Sequence, residues 1–184
     1  MREFGYEVGN QAQAETMIED WSLGNFNAIV RYCKDADFFQ DIPFSLARTY
    51  EAVDRAYPGS KFILTVRSSA EEWYQSLLRF HSKIVSEGRQ PTADALKAFS
   101  YRAPGWLWQV QQLVYGVDES HLYDRTIYKD YYDQHNDAVR EYFRGRPGDF
   151  LELDLSWPDA LERLCAFLGL SAAGKRIPHL NRSK

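Results

Sequence analysis

The side chain best placed for chemistry is Arg67, which follows a short apolar run and precedes a polar segment. The run Phe62–Val66 is bounded by the turn signal Pro58-Gly59 on one side and by this charge on the other. Its length and branched side chains predict a strand buried on both faces of a parallel sheet. Open α/β sheets bind ligands at the carboxyl ends of their strands. We therefore expect Arg67 to hold an anionic ligand, the alternative being an ion pair at the strand end.

A carboxylate in the same half of the chain could act on a proton. Asp41 ends a second predicted strand, Asp37–Asp41, which is closed by Ile42-Pro43. Since this strand end lies on the side of the sheet where ligands gather, the Asp41 carboxylate could orient or deprotonate a hydroxyl group. The alternative interpretation is that Asp41 caps the turn at Ile42-Pro43.

Histidine suits the task of a general base near neutral pH, and His81 lies close to the predicted site. Helical spacing places His81 on one flank of the helix that follows the strand, whereas Ser76 falls on the opposite flank. His179 is the other candidate, because the carboxyl-terminal tail could fold over the site. We interpret His121 and His135 as surface or partly packed residues.

Two helices must hold these side chains in place. The helix after Arg67 can be capped by Ser69, and acidic residues fill its first turn, where they suit the helix dipole. Its apolar stripe is Trp73, Leu77, Phe80 and Ile84. The other helix, from Leu46 to Ala56, lies between the two predicted strands. A strand–helix–strand unit of this kind is right-handed by default and makes the sheet parallel.

The periodicity of the remaining chain predicts more helices and one more strand. The helices cover residues 11–24, 92–99, 123–143 and 161–170, a further helix opens at Trp106, and the strand is Phe150–Leu155. No repeat or low-complexity tract divides the sequence. We therefore predict a single domain over residues 1–184, with a three-layer α/β fold in which many helices flank a short parallel sheet.

The composition excludes several classes of protein. With 45% hydrophobic and 15% aromatic residues among 184, the chain is globular rather than disordered. A net charge of −4 argues against a nucleic-acid partner, because no basic excess is available to neutralise phosphates. No apolar run approaches the roughly 20 residues that cross a bilayer, and no signal peptide is visible. Cys33 and Cys165 lack metal-like spacing and indicate a reducing, cytoplasmic location.

Several segments together resemble a known family. They are Gln40-Asp41-Ile42-Pro43-Phe44, the run from Tyr57 to Arg67, and Glu72-Trp73-Tyr74-Gln75-Ser76-Leu77, followed by the Phe150–Leu155 strand, the Leu161–Leu170 helix and the tail Ile177-Pro178-His179-Leu180-Asn181. The run from Tyr57 to Arg67 with its following helix is the most specific part. In this order and spacing, over nearly the whole chain, they resemble the sulfotransferase-like family of P-loop folds.

This resemblance implies a transferase without a metal. Family members use 3′-phosphoadenosine-5′-phosphosulfate as co-substrate and pass its sulfuryl group to an acceptor hydroxyl or amine. The family's Arg and Ser that hold the 3′-phosphate correspond to Arg67 and Ser76, and the spacing between them is one residue longer than in the cytosolic enzymes. A guanidinium and a hydroxyl near a helix N-terminus suit a phosphate. Asp41 and His81 are then the candidate catalytic residues.

The acceptor is less closely defined by the resemblance. A small-molecule or lipid-like acceptor is expected, and no nucleic-acid partner or transmembrane segment is predicted. A group of aromatic side chains is interpreted as core or as the lining of the acceptor pocket: Trp106, Trp108, Tyr123, Tyr128, Tyr131 and Tyr132.

One feature of the family has no counterpart in this sequence. A strand, a Gly-rich phosphate loop and a helix would need roughly 25 residues before Gly5-Tyr6, where only five residues precede Tyr6. Either the chain is shortened at its amino terminus or the protein has lost the loop. The missing strand would expose a sheet edge through which the chain could form a homo-oligomer. The alternative functions are a catalytically inactive remnant that serves as a nucleotide-binding or interaction module, and a P-loop kinase relative.

Overall fold

A computed structural model describes residues 1–177, which fold into short helices around a small sheet. The helices are α1 Gln11–Glu15, α2 Ile18–Ser22, α3 Asn27–Tyr32, α4 Thr49–Ala56, α5 Ala70–Val85, α6 Ala93–Ala98, α7 Trp106–Tyr115, α8 Arg125–Tyr142 and α9 Ala160–Leu168. The strands are β1 Phe62–Val66 and β2 Phe150–Asp154. The predicted tail from Pro178 onward, with His179, lies outside the described residues.

The two strands pair in parallel, with Phe62 opposite Phe150 and Val66 opposite Asp154. Both strands were expected from apolar runs bounded by turns, and β1 has the predicted limits. Helices flank this short parallel sheet, which confirms the predicted α/β fold class. The carboxyl end of β1 therefore lies at one end of a parallel sheet, as the argument about Arg67 requires.

The predicted strand Asp37–Asp41 is wrong. Only an isolated parallel bridge between Val8 and Phe38 forms there. The backbone of Asp41 has a φ of 58°, which lies outside the extended region, and Pro43 has no N–H to continue a ladder. The helix that follows begins at Thr49 rather than after Ser45. The strand–helix–strand unit is therefore reduced to a turn and a helix that lead into β1.

The prediction that β1 is buried on both faces is also wrong. Residues 62–64 are half-buried, Thr65 is exposed and Val66 alone is buried. Within residues 1–177, β2 pairs with one edge of β1 and no strand pairs with the other. An apolar run of this kind is typical of a strand covered on both faces, but a two-stranded sheet leaves part of β1 uncovered.

Helix α5 begins as predicted, with the Ser69 hydroxyl accepting a hydrogen bond from the Glu72 N–H at 3.1 Å. Helix α8 is capped in the same way by Asp124. The helix predicted over residues 11–24 is two helices instead, because the Thr16 hydroxyl donates to the Gln13 carbonyl at 2.7 Å and the chain turns there. Helices α5 and α8 pack against each other along the chain segments that flank β1.

The core lies between the helices rather than around the sheet. The largest buried cluster joins residues of α5, α7 and α8, among them Tyr74, Leu107 and Tyr128. Helix α8 also covers the sheet, because the Phe143 ring that follows it stacks on Phe62 and Phe150 with centroids 4.8 and 5.2 Å apart. No helix within residues 1–177 has the length and apolar character needed to cross a membrane.

Candidate functional site

A cavity of about 590 Å³ opens beside β1 and brings the predicted site residues together. Its walls come from β1, α5, α7, α8 and the turn that contains Asp41. Four of the residues singled out from the sequence line it, Asp41, Arg67, Ser76 and His81, whereas His179 lies outside the described residues. Drug-sized ligands occupy cavities of this size. The geometry therefore places a candidate anion-binding side chain and candidate proton acceptors around one space.

Arg67 projects from the end of β1 and is exposed. Within the described part of the chain its guanidinium forms no ion pair, so the alternative interpretation of Arg67 as half of an ion pair finds no partner there. No other Arg or Lys side chain from residues 1–177 lines the cavity. An unpaired guanidinium at the wall of a cavity is suited to a phosphate or sulfate group.

The backbone of Arg67 is held by Tyr132, a residue that sequence reasoning assigned only to core or pocket lining. The Arg67 N–H donates to the Tyr132 hydroxyl at 2.8 Å. The Tyr132 ring is buried and stacks on Trp73, with centroids 4.9 Å apart and planes inclined by 25°. Trp73 lies one turn before Ser76 on α5. Tyr132 thus connects the end of β1 with the first turns of α5.

Ser76 is half-buried, and its hydroxyl forms no hydrogen bond with any residue in the range 1–177. It differs in this from Ser68, whose hydroxyl donates to the Glu72 carboxylate. Because α5 begins at Ala70, Ser76 lies nearly two turns inside the helix rather than in its first turn. The contribution of the helix N-terminus to a phosphate held by Ser76 is therefore small.

Asp41 sits in a tight turn at the cavity. Its Oδ1 accepts a hydrogen bond from the Ile42 N–H at 2.9 Å, so the carboxylate caps the turn as one interpretation predicted. Its Oδ2 has no partner among the described residues. The Asp41 side chain is exposed at the mouth of the cavity, yet nearby protein atoms partly desolvate the carboxyl and raise its pKa, and the Ile42 N–H and the Arg102 charge oppose this. A raised pKa makes Asp41 a better proton acceptor.

His81 is 5% exposed, and its Nδ1 lies 2.9 Å from the Tyr123 hydroxyl. Burial lowers the pKa of His81 to about 4. A histidine with this pKa is neutral at pH 7 but binds a proton only weakly. The cavity extends along the α5 stripe between the two flanks, so both His81 and Ser76 line it although they lie on opposite sides.

Two further polar residues of the cavity wall were not singled out by any sequence pattern. Glu15 is buried and accepts a hydrogen bond from the Arg102 side chain, which neutralises its charge. Asn136, on α8, is 3% exposed and lines the cavity. Both depend on contacts between segments that are distant in sequence. Within residues 1–177, no group of three or more His, Cys, Asp or Glu side chains is arranged to hold a metal ion.

Comparison with known proteins identifies the family. A model of the family described as sulfotransferase domain matches residues 8–184. No curated protein matches the chain. The match spans β1, Arg67, α5 and β2, the segments on which the resemblance was argued from the sequence. This chain belongs to the sulfotransferase domain family.

Proposed function

We propose that this chain transfers a sulfuryl group from 3′-phosphoadenosine-5′-phosphosulfate to a hydroxyl or amine of a small-molecule acceptor. Family membership supports the reaction class. The observation that carries the proposal is the unpaired Arg67 guanidinium, which shares one cavity with the Asp41 carboxylate. A binding site for an anionic nucleotide and a base for the acceptor would then lie around the same space.

The described residues fit one phosphate of the co-substrate. Arg67 offers up to two parallel N–H donors and Ser76 an unpaired hydroxyl, which suits the 3′-phosphate. Because Arg67 is the sole Arg or Lys from residues 1–177 on the cavity wall, these residues supply no second cation for the phosphosulfate. The co-substrate, when bound, supplies the activated sulfuryl group.

In the proposed mechanism the chain contributes position, charge and a proton acceptor. The acceptor oxygen forms a bond to sulfur while the bond from sulfur to the phosphate oxygen breaks, and the electron pair leaves with the bisphosphate. Asp41 takes the proton that the acceptor hydroxyl loses. Arg67 opposes the negative charge of the leaving bisphosphate, and Tyr132 keeps the Arg67 backbone in place. His81 is a weaker candidate for the base, because burial lowers its pKa to about 4.

The second candidate function is a catalytically inactive nucleotide-binding or interaction module. The observation that favours it is the single cation on the cavity wall within the described part of the chain. Such a module would bind a nucleotide without transferring a sulfuryl group.

Calorimetric titration with adenosine 3′,5′-bisphosphate tests the proposal. We expect the wild-type chain to bind and Arg67→Ala to lose at least tenfold in affinity, since charged hydrogen bonds to phosphate contribute about 1.5–3 kcal/mol. The matched control is Arg79→Ala, which removes the same charge from an exposed position of α5 outside the cavity. Equal losses in both variants, or no binding by the folded wild-type chain, would contradict the nucleotide site.

An assay of sulfuryl transfer distinguishes the enzyme from the catalytically inactive module. Transfer of labelled sulfate from the co-substrate to a panel of alcohols and amines would support the enzyme, whereas binding without transfer would support the module.

Association through the free edge of β1 is a further proposal, tested by the concentration dependence of the sedimentation coefficient. The cytoplasmic location stays a prediction from cysteine usage.

A further inference from the structure

A chain of hydrogen bonds connects the turn at Asp41 with α1. The Ile42 N–H donates to Asp41 Oδ1 at 2.9 Å, and the Ile42 carbonyl accepts from the Gln11 side-chain amide at 3.2 Å. The same amide donates to Glu15 Oε1, one helical turn further along α1, at 3.3 Å. Gln11 therefore ties the Glu15 carboxylate to the backbone of the Asp41 turn, although the two segments are distant in sequence.

The chain of contacts continues to Arg102, which lies in the exposed segment 100–104 between α6 and α7. The Arg102 Nε donates to Glu15 Oε2. Tyr101, from the same segment, lines the cavity together with Glu15 and Asp41. The segment 100–104 thus borders the end of the cavity where Asp41 lies, and Arg102 joins it to α1.

The Glu15 carboxylate depends on this contact. Its side chain is 3% exposed, and that of Arg102 is only 26% exposed. Among the ion pairs within residues 1–177, Arg102 is the one partner of Glu15. Removal of the counter-charge from a buried carboxylate is strongly destabilising, so the pair is a fixed contact rather than an exchangeable surface ion pair.

The backbone of Asp41 also has to be held. Its φ of 58° lies in the left-handed region, which a residue other than glycine keeps only when its surroundings fix it. The Ser45 N–H donates to the Asp41 carbonyl at 2.7 Å on one side of the turn. Gln11 holds the Ile42 carbonyl on the other side. The direction of the Asp41 side chain therefore depends on both contacts.

Few charges act on the Asp41 carboxyl. The positive charge of Arg102 opposes the rise in the Asp41 pKa that desolvation causes. Tyr101 and Tyr115 lie near enough to be affected by the Asp41 charge, but burial raises the pKa of both phenols, so they are neutral at pH 7. Glu15, which binds the Arg102 guanidinium, is the negative charge that balances it.

We propose that Arg102 is a positioning residue for Asp41. By pairing with Glu15 it fixes Gln11 and hence the Asp41 turn, and Glu15 in return keeps the guanidinium from pairing with Asp41. A direct ion pair with Arg102 would favour the ionised carboxylate and make Asp41 a weaker proton acceptor. This inference rests on the proposed function, in which Asp41 takes the proton of the acceptor.

An NMR titration of the Asp41 carboxyl, in the full chain with isotope-labelled aspartate, tests the effect of charge. The signal is identified by its loss in Asp41→Asn. In Glu15→Gln we expect the pKa of Asp41 to fall below that of the wild-type chain, because Arg102 is no longer balanced. Addition of Arg102→Gln to Glu15→Gln should raise it again. Neither variant leaves a buried charge unpaired, so both are expected to fold.

The matched control is Arg125→Gln, which removes a guanidinium paired with Glu71 outside the cavity and should leave the Asp41 titration unchanged. An Asp41 pKa that is the same in the wild-type chain and in Glu15→Gln would overturn the proposal. The same pKa in the single and the double variant would also overturn it, because Arg102 would then have no influence on Asp41.

Hydrogen exchange tests the positioning directly. Gln11→Met removes both hydrogen bonds of the amide and leaves every charge in place. We expect the Ile42 and Ser45 N–H groups to exchange about tenfold faster, the worth of one hydrogen bond. The control Gln75→Met removes an amide that donates to Glu71, also four residues earlier in its helix, and should not alter these two rates. Unchanged rates in Gln11→Met would contradict the positioning role.

Titration of the same proteins with adenosine 3′,5′-bisphosphate keeps this inference distinct from the proposed function. If the wild-type chain binds the nucleotide and Asp41 does not respond to Glu15→Gln, the role of Arg102 is wrong while the nucleotide site stands. If Asp41 responds as expected and the nucleotide does not bind, the positioning of Asp41 is supported while the proposed function is contradicted.

Discussion

The two halves of α5 border the same cavity but differ in how their side chains are paired. Arg67, just before the helix, and Ser76, in its first half, have side chains without partners among the described residues, although the Arg67 backbone is fixed by Tyr132. At the carboxyl-terminal end, His81 is buried and its imidazole is engaged by the Tyr123 hydroxyl. A position on the cavity wall is therefore not enough to give a residue a chemical role. A side chain is available to a ligand when its backbone is fixed and its functional group has no hydrogen-bond partner. A side chain whose functional group is already hydrogen-bonded contributes mainly to the fold.

The largest expected effect is the pH dependence of stability that burial of His81, in the carboxyl-terminal half of α5, imposes on the fold. The pKa of His81 falls from 6.5 to about 4 on folding. Between these values the unfolded chain binds more protons, so stability is full above pH 6.5 and declines as the pH falls towards 4. The His81 contribution to this decline is up to about 3 kcal/mol, measured by urea unfolding across the pH range.

In His81→Gln this part of the decline should disappear. Burial also lowers the pKa of His135, so part of the slope should remain in this variant. At pH 7.5 both His81 and His135 are neutral. The difference in free energy of unfolding between His81→Gln and the wild-type chain at this pH therefore gives the contribution of the His81–Tyr123 contact alone. Parallel curves for the variant and the wild-type chain would show that His81 does not titrate as a buried group.

A smaller effect is expected from the cap at the amino-terminal end of α5. Ser69→Ala removes the acceptor of the Glu72 N–H, so the free energy of unfolding should fall by about 1 kcal/mol. The control is Ser68→Ala, which removes an exposed hydroxyl that does not cap the helix. Equal destabilisation of the two variants by chemical denaturation would contradict the importance of the cap.

The smallest effect concerns Tyr132, the positioning residue for Arg67. Tyr132→Phe keeps the stack on Trp73 but removes the acceptor of the Arg67 N–H. Affinity for adenosine 3′,5′-bisphosphate should fall about fivefold, the typical worth of one neutral hydrogen bond. Tyr142→Phe removes a hydroxyl bonded to Asp54 from the same helix and should leave this affinity unchanged. A similar loss in both variants would mean that Tyr132 acts through general stability.

The segment from Pro58 to Val85 was predictable because its signals are local. A turn, an apolar run and a capping serine each restrict the backbone within a few residues, and β1, Ser69 and α5 follow the prediction. The segment Asp37–Asp41 shows the limit of such reasoning. Its apolar residues permit a strand, but a strand needs a neighbour, and only Val8 supplies one bridge.

The residues of the candidate site also differ in whether local sequence signals could predict them. Arg67 could be chosen from its position after an apolar run, because the end of a strand is a local feature. The positions of Tyr132 and Asn136 on the cavity wall depend on how α8 lies against β1, more than sixty residues away in sequence. No periodicity distinguishes a tyrosine that accepts a backbone N–H from one that only packs. Hydrogen bonds between distant segments therefore account for most of what the sequence left unpredicted.

The pairing of β1 with β2 also has a kinetic consequence. Phe62 meets Phe150 across about 90 residues of chain, so the sheet must close a long loop, which is entropically costly. Contacts within α5 and α8 are local and require no such closure. We expect pulse-labelling hydrogen exchange to show protection in these helices before it appears in the strands. Arg67 would then reach its final position late in folding, so the proposed anion site would be among the last parts of the molecule to assemble.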